Sequence, residues 1–306
     1  MNLMEQLDGV EVVLLDGAMG TELERRGVPI GAQLWSASAL GSHPDVIREV
    51  HRDYVAAGAK MHIANSFALA RHVLEPGGLG DQVEAFNRRA VALCREALDS
   101  APPGCRQWIA ASLSTFAEAS DRGNLPPHAV LLASYREQAG ILAAAGADLF
   151  ALEMLYDVEV SSLMIEAVAP FGLPVMIGFT CLWAPDGETV ETMAREVGVT
   201  PRPLDQVLPA VLSAVPKDLP VIPAIMHSEF DVTGKALEVA AEHWSGPLAA
   251  YPNSGIYEMP NWRFDTVAAP EVFAEAALAW RRQGVKIIGG CCGVGPSQIA
   301  ALAARL

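Results

Sequence analysis

The chain repeats one unit eight times: a short apolar, often β-branched run, a polar stretch holding Gly or Pro, and a longer Ala/Leu/Glu-rich segment with helical spacing. The apolar runs fall at residues 12–15, 61–64, 108–112, 149–153, 175–179, 221–225, 248–251 and 286–288. The helical segments follow at 44–57, 82–99, 130–145, 158–169, 204–215, 235–244, 270–283 and 296–306. Strands alternating with helices build a parallel sheet, because each return to the same sheet edge needs a crossover. Eight such strands predict an α/β protein, a single-domain (β/α)8 TIM barrel spanning residues 1–306. No Pro/Ser-rich linker or charge block divides the sequence, and a 51% hydrophobic composition supplies one large core.

A barrel places its chemistry at the carboxyl ends of the strands, on the loops leading to the helices. Here those loops are long and uneven, at 65–81, 113–128, 180–202, 226–234 and 252–269. The last strand runs into Gly289, Gly290, Cys291, Cys292, Gly293. Two adjacent thiols in a turn that glycine lets bend sharply can both face one soft metal ion, and zinc is the ion that fits such donors. A third ligand has two candidates. His227 ends the sixth strand at the same barrel face, and Cys181 follows the fifth. Cys94 falls in a helix and Cys105 in a Pro/Gly turn, so packing accounts for the one and chance position for the other. A metal-free alternative reads the glycine-rich turn as a phosphate cradle at a helix start. It lacks any Lys or Arg in the loop.

Two carboxylates occupy strand ends. Asp16 closes the first strand before Gly17, and its position suits either an ammonium ligand or a turn cap. Glu153 ends the fourth inside an apolar run, where an unpaired carboxylate is costly to bury. Together they suit an amino acid's ammonium group. The loop aromatics Trp183, Tyr251, Tyr257 and Trp262 offer ring faces to a cation.

The balance of 36 acidic against 21 basic residues, a net charge of −15, repels nucleic acid and anionic lipid. With no signal-like start and five cysteines, an odd number, the sequence predicts a cytoplasmic protein with reduced thiols. Oligomeric state is not legible, and a homo-oligomer stays open.

Assembled, these segments resemble the homocysteine S-methyltransferase family of zinc-dependent barrels. The matching stretches are Leu14-Leu15-Asp16-Gly17-Ala18-Met19-Gly20-Thr21, Asn65-Ser66-Phe67, the Glu153 strand end, Tyr251-Pro252-Asn253-Ser254-Gly255 and Gly289-Gly290-Cys291-Cys292-Gly293. The resemblance implies Cys291 and Cys292 as zinc ligands, and a homocysteine site at Asp16 and Glu153 with Asn65 and Asn253 beside it. One position departs. Where the family supplies a third thiolate from an Asn-Cys pair, this chain has Met226-His227. Imidazole for thiolate removes one negative charge from the metal's ligand shell, giving a bound acceptor thiol that is easier to deprotonate but less nucleophilic.

The resemblance implies transfer of a methyl group from an onium donor to a thiol, most directly homocysteine, giving methionine. Alternatives are another thiol acceptor, a zinc hydrolase, or a non-catalytic small-ligand binder. The barrel uses the whole chain and leaves no room for a cobalamin module, so a free donor is expected over a corrinoid protein acting in trans.

Overall fold

The computed structural model describes residues 2–9, 11–31, 34–116, 126–193, 200–258 and 261–306. Eight parallel strands share one sheet: Val13–Leu14, Met61–Ala64, Trp108–Ser114, Leu149–Leu155, Val175–Trp183, Val221–Met226, Ala249–Tyr251 and Ile287–Ile288. The last pairs with the first, Val13 opposite Ile287. A parallel bridge between Leu15 and Met61 joins the first to the second and closes the ring. The TIM barrel expected from the repeat is therefore the fold, with helices Pro44–Ala56, Val83–Leu98, His128–Ala144, Val158–Val168, Leu204–Ser213, Phe230–His243, Pro270–Arg282 and Pro296–Ala303 after successive strands.

Side chains alternate across a strand, so each strand feeds two cores. Val13, Leu15, Met61, Ala110, Ala151, Met176, Ala224, Ala249 and Ile287 point inward and fill the barrel. Leu14, Ile109, Ala111, Leu152, Ile177, Ile225, Ala250 and Ile288 point outward into the helix layer. Burying each of the larger ones contributes about 1.5–3 kcal/mol, which is why the repeat reads so clearly in the sequence.

The opening residues do more than the sequence suggested. Helix Leu3–Leu7 starts from a capping box between Asn2 and Glu5, and its buried Leu3 and Leu7 join the barrel's inner core. Trp108 Nε1 donates to Gln6 Oε1 at 3.1 Å, tying this helix to the third strand. The expected loop at 180–202 is partly strand. The fifth strand runs on to Trp183 and folds back against Val190–Thr192, placing Cys181 opposite Thr192. Residues 194–199 of that loop, and residues 117–125 of the loop at 113–128, lie outside the described residues. Helix Phe230–His243 also starts five residues earlier than the apolar pattern indicated, because Glu229 turns the chain directly into it. No helix among the described residues is long and apolar enough to cross a membrane.

One irregularity shapes the barrel mouth. The fourth strand slips register between Leu152 and Leu155, and Met154 adopts a left-handed φ of 61°. Two consecutive residues, Glu153 and Met154, consequently both line the central cavity. Met154 N donates to the Met226 sulfur at 3.0 Å, fastening the bulge to the sixth strand.

Candidate active site

The cavity, about 310 Å³, opens at the carboxyl ends of the strands. Its lining draws on Gly17, Asn65, Glu153, His227, Asn253 and Cys291, one from each of six strand ends. The sixth strand ends at Met226, and His227 follows with φ 49°, an unusual conformation for a residue with a side chain. That turn brings its ring to the eighth strand end. Cys291 Sγ lies 3.4 Å from His227 Nε2, and one donor atom each from His227, Cys291 and Cys292 falls within 4.8 Å of the others.

Asn253 holds the two ligand segments together. Its Nδ2 donates to His227 O and its Oδ1 accepts from Cys292 N, both at 3.1 Å. Cys291 N and Ser254 N add bonds to Pro252 O and Cys292 O, at 2.7 and 2.8 Å. Gly293 completes the turn at φ 82°, where a Cβ would collide with Ser254 O, so glycine is required there. Burial lowers His227 to about 4, leaving a neutral imidazole able to act as a ligand. The Cys291 thiol is raised by its hydrogen bond with Cys292 and by burial, as two adjacent thiols without a cation resist ionising. Two thiols and a neutral imidazole on one cavity wall fit a soft or borderline divalent ion.

Cys181 is not brought to this group. Its side chain packs in the helix-layer core, 1% exposed, and burial pushes its thiol to about 12. Cys94 is likewise buried in that core, and Cys105 accepts from Gln107 Nε2 at 3.3 Å.

Glu153 reaches the same group, with Oε2 3.8 Å from His227 Nε2. Ser112 Oγ donates to its other oxygen, and burial raises the carboxyl to about 7. Asp16 does not line the cavity, although the next residue, Gly17, does. Its Oδ2 accepts from Ile63 N at 3.1 Å, and burial raises the carboxyl well above the usual range. Asn65 lines the cavity, but Ser36 takes up both ends of its amide: Oδ1 accepts from Ser36 Oγ at 2.5 Å and Nδ2 donates to Ser36 O at 3.2 Å. It therefore fixes the Trp35–Ser36 segment.

Of the aromatics singled out in the sequence, Tyr251, Tyr257 and Trp262 line the cavity and Trp183 does not; its indole instead donates to Asp231 at 2.9 Å. Trp35 lies in the long connection between the first strand and helix Pro44–Ala56, outside the loops singled out in the sequence. It stands edge-on to Tyr257, ring centres 6.3 Å apart, and Tyr257 lies 6.3 Å from Trp262. Phe67 packs beside the His227 ring at 5.8 Å. A thiol-rich wall, a carboxylate and an aromatic wall thus meet in one cavity.

Fold and family together define a barrel enzyme of the methyltransferase class. The chain belongs to the homocysteine S-methyltransferase family, whose model matches residues 13–306. It is similar to homocysteine S-methyltransferase of Escherichia coli, 31% identical over 98% of this chain and 96% of that protein. It is also similar to homocysteine S-methyltransferase YbgG of Bacillus subtilis, 28% identical over 97% and 95%. The metallated crystal form of the homocysteine methyltransferase MmuM from Escherichia coli superposes with a TM-score of 0.79, at 30% identity and 99% coverage of both chains.

Proposed function

We propose that this chain transfers a methyl group from a small cationic onium donor to the thiol of homocysteine, giving methionine, with zinc held by His227, Cys291 and Cys292. The observation that carries this is the meeting of one imidazole and two thiols within 4.8 Å on the wall of a cavity that Glu153 also lines. Bound there, zinc would lower the acceptor thiol's pKa and so keep its sulfur nucleophilic.

The protein's own groups do the rest. Glu153, with Asp16 behind it, attracts the acceptor's ammonium and sets the direction of its thiol. Asn253 keeps the His227 and Cys292 segments at fixed separation. Trp35, Tyr257 and Trp262 present rings to a cation, which is stabilised by their faces and departs as a neutral leaving group once its methyl is lost. Phe67, Phe116 and Met19 exclude water from the reacting centres, and alignment of donor and acceptor in one cavity supplies much of the rate. A net charge of −15 favours a cationic donor. A cavity of about 310 Å³ favours a small free donor over a corrinoid. Five unpaired cysteines support a reducing compartment, the cytoplasm.

The test is paired. Protein purified reduced, without added metal, is analysed for zinc, and methionine formation from homocysteine is assayed with sulfonium and quaternary ammonium donors. About one zinc per chain and turnover with at least one donor is the expected result. A metal-free protein, or silence with every donor, overturns the proposal.

A further inference from the structure

A second trio of titratable side chains sits below the cavity. Asp16, His51 and His62 are at most 2% exposed, and their donor atoms lie within 4.8 Å of one another. Asp16 Oδ2 is 3.9 Å from His51 Nδ1 and 3.8 Å from His62 Nδ1, too far for direct hydrogen bonds. Asp16 Oδ1 and both ring nitrogens of His51 have no hydrogen-bond partner among the described residues. Buried polar atoms left in this state are costly, so their concentration at one point calls for an explanation.

His62 supplies it. Gln107 donates its amide N–H to Cys105 Sγ at 3.3 Å, which turns Gln107 Oε1 toward His62 Nε2 at 2.9 Å. Nε2 therefore carries a hydrogen, and in a neutral ring Nδ1 is then a bare lone pair facing the Asp16 carboxylate. The Ala59 carbonyl is a third acceptor at the same ring. An imidazole among three acceptors, beside a carboxyl with an unused oxygen, is an arrangement one proton short of being satisfied. That proton belongs to the group as a whole.

We propose that Asp16, His51 and His62 share one proton beneath the cavity floor, and that the α-ammonium of the acceptor displaces it on binding. The idea rests on the function proposed above. Before binding, the proton keeps a buried carboxylate from standing uncompensated; after binding, the ammonium supplies the same positive charge, and the proton passes to solvent. The substrate's N–H bonds stay intact, so the balance is one proton out for one ammonium in. The other titratable groups whose charge couples to Asp16 are Glu153, Tyr54 on the helix that carries His51, and Cys94 on helix Val83–Leu98. Tyr54 and Cys94 are raised by burial and stay neutral. His51 and His62 act through Asp16 and are positioning residues.

The experiment counts protons by isothermal titration calorimetry in buffers of different ionisation enthalpy. Zinc-loaded protein is titrated with homocysteine and, separately, with 4-sulfanylbutanoate, which keeps the thiol and lacks the ammonium. At pH 8 Glu153, raised to about 7 by burial and lowered again by the charge of zinc beside it, is largely ionised and contributes little to the difference. Homocysteine should release about one proton per chain more than its analogue. In His51→Leu and His62→Leu, with melting checked to confirm folding, that excess should fall to less than half. Equal release by the two acceptors overturns the inference. An undiminished excess in both folded variants also overturns it, because Asp16 would then hold the proton alone. A second metal ion per chain that both variants lose would do the same, since a cation would occupy the trio. If neither acceptor binds the zinc-loaded protein, the proposed function falls as well.

Discussion

Among the described residues the barrel holds two trios of side chains that could each ligate a metal, and they differ in softness and in access. His227, Cys291 and Cys292 bring two sulfurs and line the cavity; Asp16, His51 and His62 bring only nitrogen and oxygen, buried among strands and helices. Nearness of donor atoms alone does not separate them. The first trio comes with Asn253 bracing both of its segments and a cavity in front of it. The second has a bare lone pair facing a carboxylate and no lining position. A ligand group that substrate must reach needs an open side, which the cavity trio has and the enclosed trio lacks.

The sharpest way to break this contrast is to remove sulfur. Cys291→Ser or Cys292→Ser should empty the cavity trio of zinc and cut methyl transfer by about a thousandfold or more, the several kcal/mol that a catalytic metal supplies. Cys181→Ala should leave zinc content unchanged, and loss of zinc there would overturn the assignment of His227. Atomic absorption on the purified variants reads both.

A smaller effect distinguishes the enclosed trio. With its one shared proton in place the trio takes up no second: burial lowers His51 to about 3, so the native state refuses a further proton that the unfolded chain takes up near 6.5. Its stabilising effect is therefore complete above pH 6.5 and is lost as pH falls. Between pH 6.5 and 4 the metal-free protein should lose on the order of 3 kcal/mol through this residue alone. Denaturant melts of the native protein and His51→Leu test it: the variant should show a shallower pH dependence, and parallel curves would contradict the assignment.

Smaller again is the brace. Asn253→Ala should weaken zinc affinity by about 10–100-fold, as loss of an outer-shell partner does, with folding retained in circular dichroism. Smallest is the aromatic wall, where Trp35→Ala should raise KM for a cationic donor about 5–30-fold, the worth of about 1–2 kcal/mol of cation–π contact, with KM for the thiol little changed. Equal changes in both constants would point to a general loss of shape instead.

Much of this was legible in the chain. The eight apolar runs announced the barrel because strands buried in the sheet must be apolar whatever the protein does. Cys291, Cys292 and Glu153 stood out because thiol pairs in glycine turns and carboxylates in apolar runs are expensive unless used. Asn65 and Asn253 were visible as motif residues, but their tasks were not, since nothing in the spacing shows that Ser36 occupies one amide and the ligand segments the other. Trp35 gave no signal, because a Trp ahead of a helix resembles any packing residue until Tyr257 is found against it.

The sequence by itself therefore determined the barrel, the soft character of its metal-capable donors and the carboxylate at the fourth strand end. These follow from local composition and period, which no tertiary contact is needed to interpret. Only the tertiary structure decided that His227 rather than Cys181 stands with the thiols, that Trp183 is turned away, and that Asp16 lies with two histidines below the floor. Those outcomes depend on a left-handed turn at His227, a hairpin after the fifth strand and a closing contact between the first two strands. Each joins residues far apart in the chain, and a linear pattern carries no record of which side chains the closed ring sets face to face.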